Sequence, residues 1–77
     1  MKAIVYRIIA NRPRQYVRRI VNNRTVLWTN DAAQAERMTA NDAATIAACL
    51  RSRSAGEPYH RNVMPSEPAG EYGALEA

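Results

Sequence analysis

The hydrophobic positions of this chain follow two patterns, a strand-like alternation over the first thirty residues and a helical spacing further on. Three segments rich in β-branched residues have the length and the partial alternation of a β-strand: residues 2–10, 15–21 and 24–29. Pro13 lacks a backbone donor, which favours a loop over residues 11–14. Asn22 and Asn23 tolerate the positive φ of a two-residue hairpin turn. The sequence therefore predicts three consecutive antiparallel strands.

The position of that turn also predicts how the second and third strands pair. If Asn22 and Asn23 form the turn, Val21 lies opposite Arg24 and Val17 lies opposite Trp28. One face then holds Val17, Arg19, Val21, Arg24, Val26 and Trp28, and the other holds Tyr16, Arg18, Ile20, Thr25, Leu27 and Thr29. Neither face is uniformly apolar, and a slip of one residue exchanges them. The sequence leaves open which face is buried.

Two helices are predicted after the strands. Asp31 and Gln34 have the spacing of a capping box, which predicts a short helix over residues 32–37. Asn41 is a favourable N-cap for a second helix over residues 42–51. Four apolar residues of this second helix have the i, i+3, i+4, i+7 spacing of one buried face: Ala43, Ile46, Ala47 and Leu50.

The remaining segments complete the predicted fold. Residues 59–64 have the composition of a short fourth strand, followed by Pro65. Residues 66–77 hold two Gly, one Pro and three Glu with few apolar residues, which predicts a disordered tail. The expected architecture is a single α+β domain over residues 1–65, with the element order β-β-β-α-α-β. Its three- to four-stranded antiparallel sheet carries a short and a longer helix on one face.

The charge is distributed unevenly along the chain. Residues 1–30 carry seven basic and no acidic side chains, whereas residues 31–77 carry four basic and seven acidic ones, which gives a net charge of +4. Ten of the basic residues are Arg, which forms bidentate contacts with phosphate or carboxylate. The candidate binding residues are Arg7, Arg12, Arg14, Tyr16, Arg18, Arg19 and Arg24. Their ligand is either an acidic protein surface or a nucleic acid; alternatively, the charge only keeps the strands soluble.

The sequence offers little to support catalysis. The glycines Gly56, Gly70 and Gly73 fall in the predicted break and tail, so no glycine-rich phosphate loop is present. Cys49 lies among alanines on the predicted helix, where cysteine is usually a small core residue. Cys49 and His60 are too few soft ligands for a zinc site. We therefore expect a non-enzymatic protein with no catalytic residue, no cofactor and no metal.

Chain length and cysteine content bear on assembly and location. A 77-residue chain buries only about 60% of its unfolded surface, so its stability comes from a modest core or from association into a homodimer. A single cysteine excludes an internal disulfide and is typical of a reducing compartment. The apolar run 3–9 is interrupted by Arg7 and is too short to span a bilayer. We expect a cytoplasmic protein without membrane contact.

One stretch resembles a known kind of protein. The run Trp28-Thr29-Asn30-Asp31, the segment AAQAERM over 32–38 and the pair Ala43-Ala44 follow a strand hairpin, over roughly Tyr16 to Leu50. This layout resembles small phage- and prophage-encoded proteins of the anti-CRISPR type. The resemblance implies a stoichiometric inhibitor that occupies a surface of a multi-subunit CRISPR-Cas effector complex in the host cell.

The basic first half differs from the acidic DNA mimics that are common among anti-CRISPR proteins. An inhibitor with this charge would bind an acidic protein surface of the effector complex or the nucleic acid itself. A small basic DNA- or RNA-binding regulator that uses the same residues is the alternative function. A structural or assembly protein is the third.

Overall fold

The computed structural model describes residues 2–22, 25–54 and 68–77. These residues form a five-stranded antiparallel sheet and one α-helix, which confirms the predicted α+β class. The elements are β1 (Lys2–Ile8), β2 (Gln15–Asn22), β3 (Thr25–Thr29), a 3-10 helix (Ala32–Gln34), β4 (Met38–Thr39), α1 (Ala40–Ser54) and β5 (Glu71–Glu76). No helix in these ranges is both long and apolar enough to cross a bilayer.

Strand β1 is the centre of the sheet. It pairs with β5 along one edge, and with both β2 and β4 along the other. Ala3 shows this directly, because Met38 of β4 and Glu76 of β5 are both its partners. The Glu36 amide donates to the Val17 carbonyl of β2 at 2.9 Å. Residues 36–39 therefore lie between the separating ends of β1 and β2 and are hydrogen-bonded to both strands.

Helix α1 covers one face of the sheet, which we call the inner face. The predicted apolar stripe of the helix is confirmed, since Ala43, Ala47 and Leu50 are fully buried and Ile46 packs against the same core. They meet Val5, Val17 and Tyr72 from the strands. Burying a leucine side chain such as Leu50 contributes about 1.5–3 kcal/mol. The inner face thus contains the hydrophobic core.

The predicted short helix over 32–37 is wrong in length, because only a 3-10 turn over Ala32–Gln34 forms. Asp31 caps it as expected by accepting from the Ala33 amide at 3.0 Å. The Asp31 amide, however, donates to Thr29 Oγ1 instead of Gln34, and Thr29 Oγ1 donates to Gln34 Oε1, each at 3.1 Å. Ala35 is already extended because the next residue joins the sheet.

Helix α1 begins earlier and ends later than the sequence predicts. The Asp42 amide donates to Thr39 Oγ1 at 3.1 Å, so Thr39 is the N-cap and Asn41 lies inside the helix. Asp42 still occupies the first turn, where its negative charge favours the positive end of the helix dipole. The helix continues to Ser54, and the sequence placed its end at Arg51.

The β2–β3 register agrees with the prediction at one end only. Val17 pairs with Trp28 as expected, but Arg19 pairs with Leu27 and Asn22 pairs with Thr25. Two irregularities, one between Val17 and Arg19 and one between Ile20 and Asn22, shift the register. Asn22 is therefore a strand residue and not a turn residue as predicted, and Asn23 lies outside the described residues.

These shifts also correct the predicted faces. Val17 and Ile20 belong to opposite faces under strict alternation, yet both pack on the core. Val26 and Trp28 join them there, while Val21 is 53% exposed. An extra residue in a strand reverses the alternation beyond it, and this restores an apolar inner face.

The prediction of a disordered tail over residues 66–77 is wrong for its second half. Glu71–Glu76 forms β5, which pairs with β1 from Ala3 to Ile8. Tyr72 is only 2% exposed and belongs to the core. The prediction was based on the low apolar content of this segment. In the structure, backbone pairing with β1 and the buried Tyr72 ring hold the strand in place. The predicted strand over residues 59–64 lies outside the described residues.

Candidate ligand-binding face of the sheet

The sheet face opposite α1 is the candidate site, and we call it the outer face. Along β1, Ala3, Val5 and Arg7 point inward, so Ile4, Tyr6 and Ile8 point outward. Pairing extends this face to Tyr16, Leu27, Thr29, Gly73 and Leu75. Among the described residues, no second helix covers it.

Two tyrosines are cross-strand partners on the outer face. Tyr6 of β1 pairs directly with Tyr16 of β2, and both are half-buried. Directly opposed Cβ atoms are about 4.5–5.5 Å apart in an antiparallel pair. A Cβ atom on Gly73 would lie 2.7 Å from Tyr6 Oη, so the end of this ring rests over the glycine. The absence of a side chain at Gly73 lets the ring lie across β5.

The loop between β1 and β2 places Arg14 beside the Tyr6 ring. The Arg12 amide donates to the Ile9 carbonyl at 3.1 Å, and Asn11 adopts a φ of 64°, which asparagine tolerates better than most residues. Arg12 and Arg14 are exposed. The guanidinium carbon of Arg14 lies 5.3 Å from the centre of the Tyr6 ring, within cation–π range.

The register irregularity between Val17 and Arg19 exposes two further arginines of β2. Val17 pairs with Trp28 and Arg19 pairs with Leu27, so Arg18 is the extra residue of a bulge. Arg18 and Arg19 are both exposed, whereas strict alternation would turn one of them into the core. The bulge therefore adds two neighbouring positive charges to the exposed surface.

Arg7 lies on the inner face, apart from the other predicted binding residues. Its Nε donates to Gln15 Oε1 at 2.8 Å, and its guanidinium carbon is 4.0 Å from the centre of the Trp28 ring. The Trp28 and Tyr72 rings meet edge to face at 6.3 Å. Arg7 thus packs over the aromatic part of the core. Arg24, another predicted binding residue, is outside the described residues.

Sequence reasoning left Tyr6 out of the predicted site. Alternation in β1 places it with Ile4 and Ile8, but its pairing with Tyr16 depends on the conformation of residues 9–14. Glu71 was also missed, because it was assigned to the tail. The Tyr6 hydroxyl donates to Glu71 Oε1 at 3.4 Å, so the outer face also carries an acidic group.

Groups suited to metal chemistry do not cluster here. In the described part of the chain, no three His, Cys, Asp or Glu side chains come together as a metal site would require. Cys49 is half-buried on α1. The described buried side-chain polar atoms all have hydrogen-bond partners, including those of Arg53, which is 3% exposed.

The described structure is a two-layer α+β domain with a helix on one sheet face and tyrosines and arginines on the other. The chain matches no protein-family model, no curated protein and no solved structure.

Proposed function

We propose that this protein binds single-stranded nucleic acid on the outer face of its sheet, without catalysing a reaction. The observation that carries the proposal is the direct pairing of Tyr6 with Tyr16 on a sheet face that no described helix covers, with the exposed Arg14 beside the Tyr6 ring. Proteins that bind single strands combine aromatic rings, on which bases stack, with a positive groove that follows the backbone.

Each group has a distinct role in this proposal. Tyr16 supplies a ring face on which a base stacks, and the Tyr6 ring holds the planar cation of Arg14 beside it. The exposed Arg18 and Arg19 lie further along β2 and contact phosphates, as do the exposed Arg12 and Arg14 of the loop before β2. Since every base has a π-face, we expect binding with little sequence preference.

The test is a fluorescence anisotropy titration of labelled oligo-dT with wild-type protein and two variants. Stacking contributes about 1–3 kcal/mol per base, so Tyr16→Leu should weaken binding roughly 5- to 150-fold. Arg18→Glu should also weaken it, because a phosphate contact becomes a repulsion. The matched control is Arg51→Glu, which reverses an exposed charge on α1. Equal losses of oligo-dT affinity for Arg18→Glu and Arg51→Glu would show that binding depends only on net charge. That result would refute a binding site on the outer face.

An acidic protein surface is the second candidate ligand. The observation that favours it is the exposed pair Arg18 and Arg19, because guanidinium groups bind carboxylates as well as phosphates in a bidentate manner. Tyrosine and arginine also contribute strongly to protein interfaces. In this alternative, the protein acts in the host cytoplasm as an anti-CRISPR-like inhibitor that occupies the acidic surface of an effector complex.

Poly-L-glutamate separates the two candidate ligands. It carries negative charge like oligo-dT but has no rings to stack. The nucleic-acid proposal predicts that Tyr16→Leu weakens oligo-dT binding and leaves poly-L-glutamate binding nearly unchanged. Tighter binding of poly-L-glutamate than of oligo-dT at matched charge would favour the acidic protein surface.

A further inference from the structure

Strand β3 lies at an edge of the described sheet. It pairs with β2 on one side, and among the described residues no strand lies on its other side. Natural edge strands are usually protected by charge, proline or a bulge. The sequence TVLWT of β3 contains no charged residue and no proline, and Leu27 at its centre is 40% exposed. By contrast, β5 carries Glu71 and Glu76.

We infer that two copies of this chain associate through their β3 strands, paired antiparallel about a two-fold axis at Leu27. The strand complements itself in this register. Leu27 lies opposite its own copy, and Val26 lies opposite Trp28 of the second copy. An aromatic residue facing a β-branched one is a favourable cross-strand pair. Two-fold pairing of this kind uses the same surface on both copies and closes at a dimer.

The packing of each chain supports this arrangement. Val26 and Trp28 already lie on the inner face against the core, so joining the strands makes the two apolar layers continuous. On the outer face, the two Leu27 side chains cover each other. A chain of 77 residues has a small core, and a shared sheet adds to the buried area.

Repulsion between the β2 arginines of the two copies destabilises this dimer only weakly. Two copies of β2 would be separated by three strand spacings, about 14 Å. Charges at that distance are largely screened at physiological salt, where the screening length is about 8 Å. The dimer would place two Tyr6–Tyr16 pairs on one continuous outer face.

Sedimentation equilibrium of the full chain without nucleic acid tests this inference. We expect a dimer for the wild type and at least a roughly tenfold weaker dimer for Leu27→Lys, because two lysines then face each other across the axis. Val21→Lys is the control, since Val21 is 53% exposed but lies on β2. Circular dichroism establishes that each variant is folded. A monomeric wild type, or equal effects of the two lysines, would overturn the inference.

Disulfide formation tests the register independently, in a Cys49→Ser background. Leu27→Cys should cross-link two chains efficiently under mild oxidation. Thr29→Cys alone should not, because its two copies would be about 13 Å apart along the strands, beyond the reach of a disulfide. Efficient cross-linking by Thr29→Cys, or species larger than a dimer, would contradict the two-fold pairing. Both experiments omit nucleic acid, so their outcome is separate from that of the proposed function.

Discussion

At the scale of single residues, the two glycines beside β1 differ in what a side chain at their position would contact. A Cβ on Gly70 would lie 2.5 Å from the backbone oxygen of Ile8, whereas a Cβ on Gly73 would meet only the end of the Tyr6 ring. Backbone has to shift in the first case, while a side chain can rotate in the second. We expect Gly70→Ala to lower the free energy of unfolding by about 1–3 kcal/mol and Gly73→Ala to lower it by less.

Urea unfolding followed by circular dichroism measures both changes. Gly73→Ala should also weaken oligo-dT binding, because the displaced Tyr6 ring no longer lies flat on the sheet. If Gly73→Ala destabilised the fold more than Gly70→Ala, the described position of the Tyr6 ring would be wrong.

Asn11 is a second residue whose backbone restricts substitution. Its φ of 64° lies in the left-handed region, which costs an ordinary residue about 1–2 kcal/mol. Asn11→Ala should therefore lower the free energy of unfolding by about 1 kcal/mol, while Asn11→Gly should leave it nearly unchanged or raise it. Thermal unfolding of the two variants side by side gives the difference. Equal melting temperatures would contradict the left-handed conformation.

At the scale of elements, β5 is the segment whose removal tests the fold most directly. It supplies the buried Tyr72 and pairs with β1 along six residues. A chain that ends at Gly70 should lose cooperative unfolding, because β1 loses a neighbour and the core loses an aromatic ring. The readout is the urea transition of Trp28 fluorescence, since this ring contacts Tyr72.

Removing Ala77 alone provides the control for that truncation. Its amide donates to the Lys2 carbonyl at 2.9 Å, so the deletion costs one hydrogen bond at the end of the sheet. A net contribution of about 0.5–1.5 kcal/mol is expected for such a bond. A cooperative transition in the chain that ends at Gly70 would contradict the role of β5 and would support the prediction of a disordered tail.

The elements that the sequence predicts well are those specified locally. The stripe of Ala43, Ala47 and Leu50 defines the buried face of α1 through spacing alone. Strand faces depend on pairing, and the bulge at Arg18 cannot be seen in the alternation of β2 by itself. The 3-10 turn is short because Glu36 bonds to Val17, a contact that joins distant parts of the sequence.

At the scale of the whole molecule, the arrangement of charge follows from the two-layer fold. The α1 layer covers the inner face, Arg14 lies beside Tyr6 of the outer face, and Arg18 and Arg19 are exposed along β2. The sequence indicates a basic first half but cannot separate Arg7, which packs on Trp28, from the exposed arginines. The candidate site therefore depends on the sheet register as much as on composition.

The salt dependence of oligo-dT binding is the decisive test of nucleic-acid binding on the outer face. If Arg12, Arg14, Arg18 and Arg19 contact phosphates, log K should fall against log salt with a slope of about −2.8, so affinity drops roughly 50-fold between 50 and 200 mM. The Arg18→Ala, Arg19→Ala double variant should reduce that slope to about −1.4. A slope near zero, or one that the double variant leaves unchanged, would contradict binding of single strands on this face.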